Sequence, residues 1–150
     1  MKIGFASDHR GYELKIKIIK ELEKQNYEII DYGTDSTTST DYPDYAFKLG
    51  EAVVKKEVDY GVAICGSGIG ISIACNKVKG VRCAKVSNIE EAKYTRIDND
   101  ANILALGEKV SKEEAFEIVK TFIDTPFSDL EKHQRRIDKI TKYEEGNYEL

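Results

Sequence analysis

Cys65-Gly66-Ser67-Gly68-Ile69-Gly70-Ile71-Ser72-Ile73-Ala74 follows the apolar run at 60–64 and leads into an apolar segment of helical spacing. The stretch reads as a strand, a glycine turn and the start of a helix. Glycines let the backbone approach a ligand closely and adopt φ > 0 where a turn demands it. Free N–H groups at the helix start attract an anion or an oxyanion. A cysteine at the strand end, beside that positive terminus, is a candidate base or nucleophile because the terminus favours a thiolate.

The same strand-then-helix unit recurs on both sides. Residues 2–6 form a first apolar run, which ends in Ser7-Asp8-His9-Arg10-Gly11. A helix follows from Tyr12 to near Asn26, with Leu14, Ile16, Ile18, Ile19 and Leu22 between charged residues. Residues 27–31 are a second strand, and 33–41 a polar loop that reads as the most mobile part of the chain. Asp41-Tyr42-Pro43 opens a second helix to about Lys56, with proline where a first turn tolerates it. The third strand spans 58–64, and the helix after the glycine turn ends at Lys79-Gly80. Strand 81–86, helix 89–96, a polar turn at 98–102 and strand 103–106 follow. Ser111 and Glu114 form a capping box for a helix reaching Ile123 or Asp124. Ser128 caps a last helix through Tyr143, and the polar tail from 144 frays. Five β-α repeats and a terminal helix imply a three-layer αβα sandwich. Its sheet is parallel, five-stranded and Rossmann-like, in one domain over 1–150. Ligands of such sheets sit at the carboxyl ends of the strands.

Composition narrows the function. A net charge of −4 argues against a nucleic-acid partner, and no apolar run approaches the roughly 18–20 residues of a membrane span. The first residues read as a strand rather than a signal peptide. Three cysteines without C-x-x-C spacing disfavour a disulfide framework or a zinc site, and a reducing cytoplasm is the simplest setting. The glycines miss the dinucleotide fingerprint, whose third glycine would stand at Ile71, and lack the Gly-Lys-Ser/Thr ending of a P-loop. A tight turn without ligand is the plain alternative. Cys65 could be a core thiol, as Cys75 and Cys83 are read to be. Asp8 beside His9 can share a proton or hold a sugar hydroxyl, or Asp8 or Ser7 can simply cap a helix. Lys132 and Arg136 share a helix face beside His133, which suits a phosphate or a solvated surface. Lys109 is equally ambiguous.

Taken together, Ser7 to Tyr12, Asp41-Tyr42-Pro43, Cys65 to Lys77, Arg96-x-Asp98-Asn99-Asp100-x-Asn102 and Lys132-His133-Gln134-x-Arg136 resemble the ribose-5-phosphate isomerase type B family. The related galactose-6-phosphate isomerase subunits share the pattern. The resemblance covers nearly the whole chain. It implies a homodimer, or a tetramer, with shared active sites, needing no metal or other cofactor, that interconverts aldose and ketose phosphates through a cis-enediolate. It further implies that Cys65 moves the proton between C2 and C1, aided by Ser67, with the backbone amides from Gly66 through Gly68 to Gly70 holding the enediolate. Asp8 would open the sugar ring, Tyr42 would line the sugar site and Asn99 would bind sugar or intermediate. His9, Lys109, Lys132 and Arg136 would surround the phosphate. Some members carry a glutamate base where Ile71 stands, and the galactose-phosphate subunits generally lack the cysteine. Three departures stand out: Asp98 replaces the usual ring-opening histidine, and lysines replace arginines at 109 and 132. Asp98 would act beside Asp8 or with His133 as donor, or the sugar differs. The rival functions are an isomerase of another phosphosugar such as a hexose 6-phosphate, a non-catalytic phosphosugar-binding module and, more distantly, a dehydrogenase.

Overall fold

In the computed structural model, which describes residues 1–150, five strands alternate with five helices and a sixth helix closes the chain. The order is β1 (Lys2–Ser7), α1 (Tyr12–Lys24), β2 (Glu28–Asp31), α2 (Tyr42–Val54), β3 (Tyr60–Cys65), α3 (Ile69–Cys75) and β4 (Cys83–Lys85). Then come α4 (Ile89–Asn99), β5 (Ile103–Gly107), α5 (Lys112–Asp124) and α6 (Glu131–Glu144). All strand pairs are parallel, in the spatial order β2-β1-β3-β5-β4. The αβα sandwich expected from the repeats is present. No helix is long and apolar enough to cross a membrane.

The central strands are apolar on both faces, as a sheet covered on both sides requires. Ile3, Phe5, Val62, Ile64, Leu104 and Leu106 pack with α1 and α5 in one core. Ala6, Ala63, Ile103 and Ala105 face α2 and α3 in the other. The second face carries smaller side chains, so its helices come closer. A methyl on Gly4 or Gly61 would stand 2.9 or 3.0 Å from Leu49 Cδ1 of α2. Cys65 belongs to this face, under the start of α3.

Several boundaries differ from the sequence reading, each for a tertiary reason. The third helix stops at Cys75 because Asn76 turns its amide onto β4: its Oδ1 accepts from Cys83 N–H at 2.8 Å and its Nδ2 donates to Cys83 O at 2.9 Å. β4 is correspondingly short. Asp98 and Asn99 belong to α4 rather than to a polar turn, because Arg96 is buried and helical instead of solvated. The Arg96 guanidinium donates to Asp100 Oδ1, Ala101 O, Thr125 O and Tyr60 OH and lies 4.8 Å from the Tyr60 ring centroid. The helix then ends at Asp100, in a left-handed conformation.

Ser111 caps α5, accepting from Glu114 N–H, but no side-chain bond returns from Glu114. Side-chain bonds run both ways at the start of α4, across three residues: Asn88 accepts from Glu91 N–H, and Glu91 accepts from Ser87 N–H. Ser128 accepts from Leu130 N–H and does not cap the last helix, whose cap position is Leu130. The 33–41 loop, expected to be mobile, is anchored. Thr34 is buried, and the fully buried Lys15 donates to its carbonyl and to Asp31 Oδ1 at 2.7 Å.

Candidate active site

The strand order reverses between β1 and β3, which are adjacent although α1, β2 and α2 lie between them in sequence. A crevice opens at such a switch point, beyond the carboxyl ends of the strands. β1 exits there into Asp8 and β3 ends there in Cys65, so the register itself brings these two residues together. A cleft of about 430 Å³ lies over them, lined by Asp8, Arg10, Tyr42, Cys65, Gly66, Ser67, Gly70 and Lys109. Seven of these eight were singled out in the sequence. Arg10 was part of a quoted motif but had no assigned role.

Each glycine of the turn answers a separate demand. Gly68 sits at φ +78°, and a methyl there would press on the backbone of Leu106 and Gly107 at 2.7–2.9 Å. Gly66 leaves room for Arg10, whose guanidinium would lie 2.7–3.0 Å from an added Cβ, and Gly70 for the Tyr42 ring at 2.7 Å. Gly68 does not line the cleft. Its N–H points at Cys65 Sγ at 3.2 Å, a donor placed to solvate a thiolate. The Ile69 N–H is spent on Ser67 Oγ at 3.1 Å. The amides of Ser67 and Gly70 have no partner within the chain and remain available to a ligand oxygen. Ile71 is fully buried among core residues and brings no titratable group to the turn.

Asp8 serves the backbone as well as the cleft. Its Oδ1 accepts from the N–H groups of Arg10 and Gly11 at 3.0 Å each, while no bond is made through Oδ2. The capping alternative therefore holds in part for Asp8. It does not hold for Ser7, whose buried hydroxyl has no partner. His9 lies beside the cleft rather than in its lining. Its Nδ1 accepts from Thr40 N–H at 3.2 Å, so in the neutral ring the proton sits on Nε2. The Arg10 guanidinium bonds Glu108 Oε1 at 2.6 Å, and this pairing raises its already high pKa.

The remaining predicted residues form a second group. Asp98 Oδ1 lies 3.3 Å from His133 Nε2, joining α4 to α6, where Lys132 and Arg136 also reside. Asn99 is on the last turn of α4. That turn lies where the strands begin: Asn99 O accepts from Arg82, and Asn102 O accepts from Gly61 N–H at the entry to β3. At about 3.3 Å per residue, six-residue β3 separates that end from Cys65 by about 17 Å. One chain thus carries its candidate residues in two groups, at opposite ends of its sheet.

A family model described as Ribose/Galactose Isomerase matches residues 3–140. Ribose-5-phosphate isomerase B of Escherichia coli is 42% identical over 147 residues, covering 96% of this chain and 97% of its own. The structure of ribose-5-phosphate isomerase B from Clostridium thermocellum superposes with a TM-score of 0.95 at 48% identity, covering 99% of this chain and 100% of that one. The enzyme from Mycoplasma genitalium, solved with bound ribulose 5-phosphate, gives 0.90 at 39% identity over 96% of each chain.

Proposed function

The chain belongs to the ribose/galactose isomerase family, and from that premise we propose that it interconverts ribose 5-phosphate and ribulose 5-phosphate through a cis-enediolate, with Cys65 as the base. The observation that carries this reading is the pairing of Cys65 with Asp8 across the switch point, with the Gly68 N–H on the sulfur. The thiolate takes the proton from C2 of the open-chain aldose, and the negative charge that develops on O1 in the cis-enediolate meets the free amides of Ser67 and Gly70 and the Ser67 hydroxyl. The proton of the 2-hydroxyl passes to O1, and the Cys65 thiol returns its proton to C1 as the carbonyl forms at C2. Tyr42 walls the sugar, and Lys109 and His9 supply cationic or donor groups for the phosphate. The buried Ile71 supports the assignment, since it leaves the turn no other base.

Ring opening needs an acid and a base across the furanose oxygen. Asp8 offers its unbonded Oδ2. The contact between His133 and Asp98 supports a divided role in which His133 donates the proton and Asp98 orients it. Because these residues stand at the other end of the sheet, the complete site is formed between two copies of the chain. The partner supplies Asp98, Asn99, Lys132, His133 and Arg136. Exposed Ile69 and Ile73 on α3, beside the turn, are apolar side chains such a partner would cover.

Conversion of ribose 5-phosphate, with and without chelator, tests the reading. Cys65→Ala is expected to lose about 10²–10⁴-fold in kcat, the usual contribution of a positioned base, with unfolding unchanged. Substantial residual turnover removes Cys65 from the role. Activity abolished by the chelator would contradict a metal-independent mechanism. The substitutions at 98, 109 and 132 favour testing a hexose 6-phosphate beside the pentose.

A further inference from the structure

Resting on the phosphosugar reading above, we propose that Arg10 is a phosphate-binding residue of this site and a determinant of its preference for phosphorylated over neutral sugars. Arg10 lines the Cys65 cleft together with Lys109, so two cations of the same chain face one opening. Its guanidinium lies flat over Gly66, which has no side chain to push it away. The base of the residue is fixed because its own N–H is bound by Asp8 Oδ1.

Only Nη2 of the guanidinium has a hydrogen-bond partner, Glu108 Oε1; Nε and Nη1 have none, and the side chain is half exposed. Glu108 is itself tied to the turn, since its N–H donates to Gly66 O at 3.1 Å. The ion pair therefore spans the catalytic turn from β1 to β5. A carboxylate and a phosphate engage the same fork of N–H groups. In the free protein Glu108 occupies part of Arg10's donor set, and an incoming phosphate competes for it. Lys109, the other cation lining this cleft, offers a point charge without a fork, so Arg10 supplies the directional contact from this side of the site.

Inorganic phosphate is the probe, titrated calorimetrically against the intact protein and used as an inhibitor of ribose 5-phosphate turnover. Arg10→Gln is expected to weaken phosphate binding by about tenfold or more and to raise KM in parallel, with little of the loss in kcat. Arg10→Lys, which keeps the charge, is expected to fall between it and the parent, and stands in should Arg10→Gln fail to fold. Glu108→Gln is expected to tighten phosphate binding. Turnover of unphosphorylated ribose is expected to be insensitive to Arg10→Gln. Phosphate affinity within twofold of the parent in a folded Arg10→Gln protein would overturn the proposal. So would a loss confined to kcat, or a Glu108→Gln variant weakened as much as Arg10→Gln. Phosphate binding is read without turnover, so a parent that binds phosphate but does not isomerise ribose 5-phosphate defeats the proposed function alone.

Discussion

Gly68→Ala is the sharpest test of the catalytic turn, because conformation and space oppose it separately. A left-handed backbone costs a residue with Cβ about 1–2 kcal/mol, and Gly68 is held at φ +78°. The new methyl would meet Leu106 C at 2.7 Å and Gly107 N and Leu106 O at 2.9 Å. These are backbone atoms of the neighbouring strand, which cannot rotate away as a side chain would. Overpacking of that kind costs about 1–3 kcal/mol. The sum, about 2–5 kcal/mol, is a large part of the roughly 5–15 kcal/mol that holds a domain folded. The expected protein folds, with a lowered denaturation midpoint and an unchanged m-value. Relief of the clash lifts the turn from β5 and withdraws the Gly68 N–H from Cys65, so kcat falls with stability. Urea denaturation and ribose 5-phosphate turnover on the same preparations measure both. Destabilisation below about 1 kcal/mol with unaltered kcat would refute the argument.

Other expectations concern separate parts of the molecule. Asp98→Asn is expected to slow turnover of cyclic substrate more than of open-chain substrate; equal losses would show that Asp98 has no part in ring opening. Burial holds the Lys15 pKa below its ordinary 10.5 against the opposing pull of Asp31. Between the folded value and 10.5 the unfolded chain binds the extra proton, so Lys15 makes stability rise with pH across that window. Lys15→Met is expected to flatten that alkaline rise in denaturant titrations, and an unaltered slope would show that Lys15 is not its source. Specific activity is expected to fall on dilution as copies separate, tracked by sedimentation, whereas constant activity in a demonstrated monomer would rule out a shared site.

The strands and their order in sequence were legible because each apolar run ends in glycine or a short polar cluster. Asp8 and Cys65 were legible for the same reason: they terminate strands. Arg96 was not, since its solvation is replaced by Tyr60, Asp100 and Thr125, residues spread widely along the chain. Its burial carried the helix through Asp98 and Asn99, and with that their position at the far end of the sheet. Arg10 escaped assignment because its place in the cleft comes from leaning over Gly66, a proximity created by strand pairing. The anchoring of the 33–41 loop depended on a lysine that helical periodicity would assign to either surface or core.

The separation of Cys65 from Asp98 by the length of β3 has a genetic consequence. In the proposed dimer each chain is a proton-transfer donor to one site and a ring-opening donor to the other. A chain without Cys65 has lost its own catalytic turn but still lends an intact α4 and α6 to a neighbour. A chain damaged at Asn99 has the reverse defect. Two alleles that are each inactive alone would restore one working site whenever their products pair, so lesions in this one small protein would sort into two complementation groups divided by the sheet.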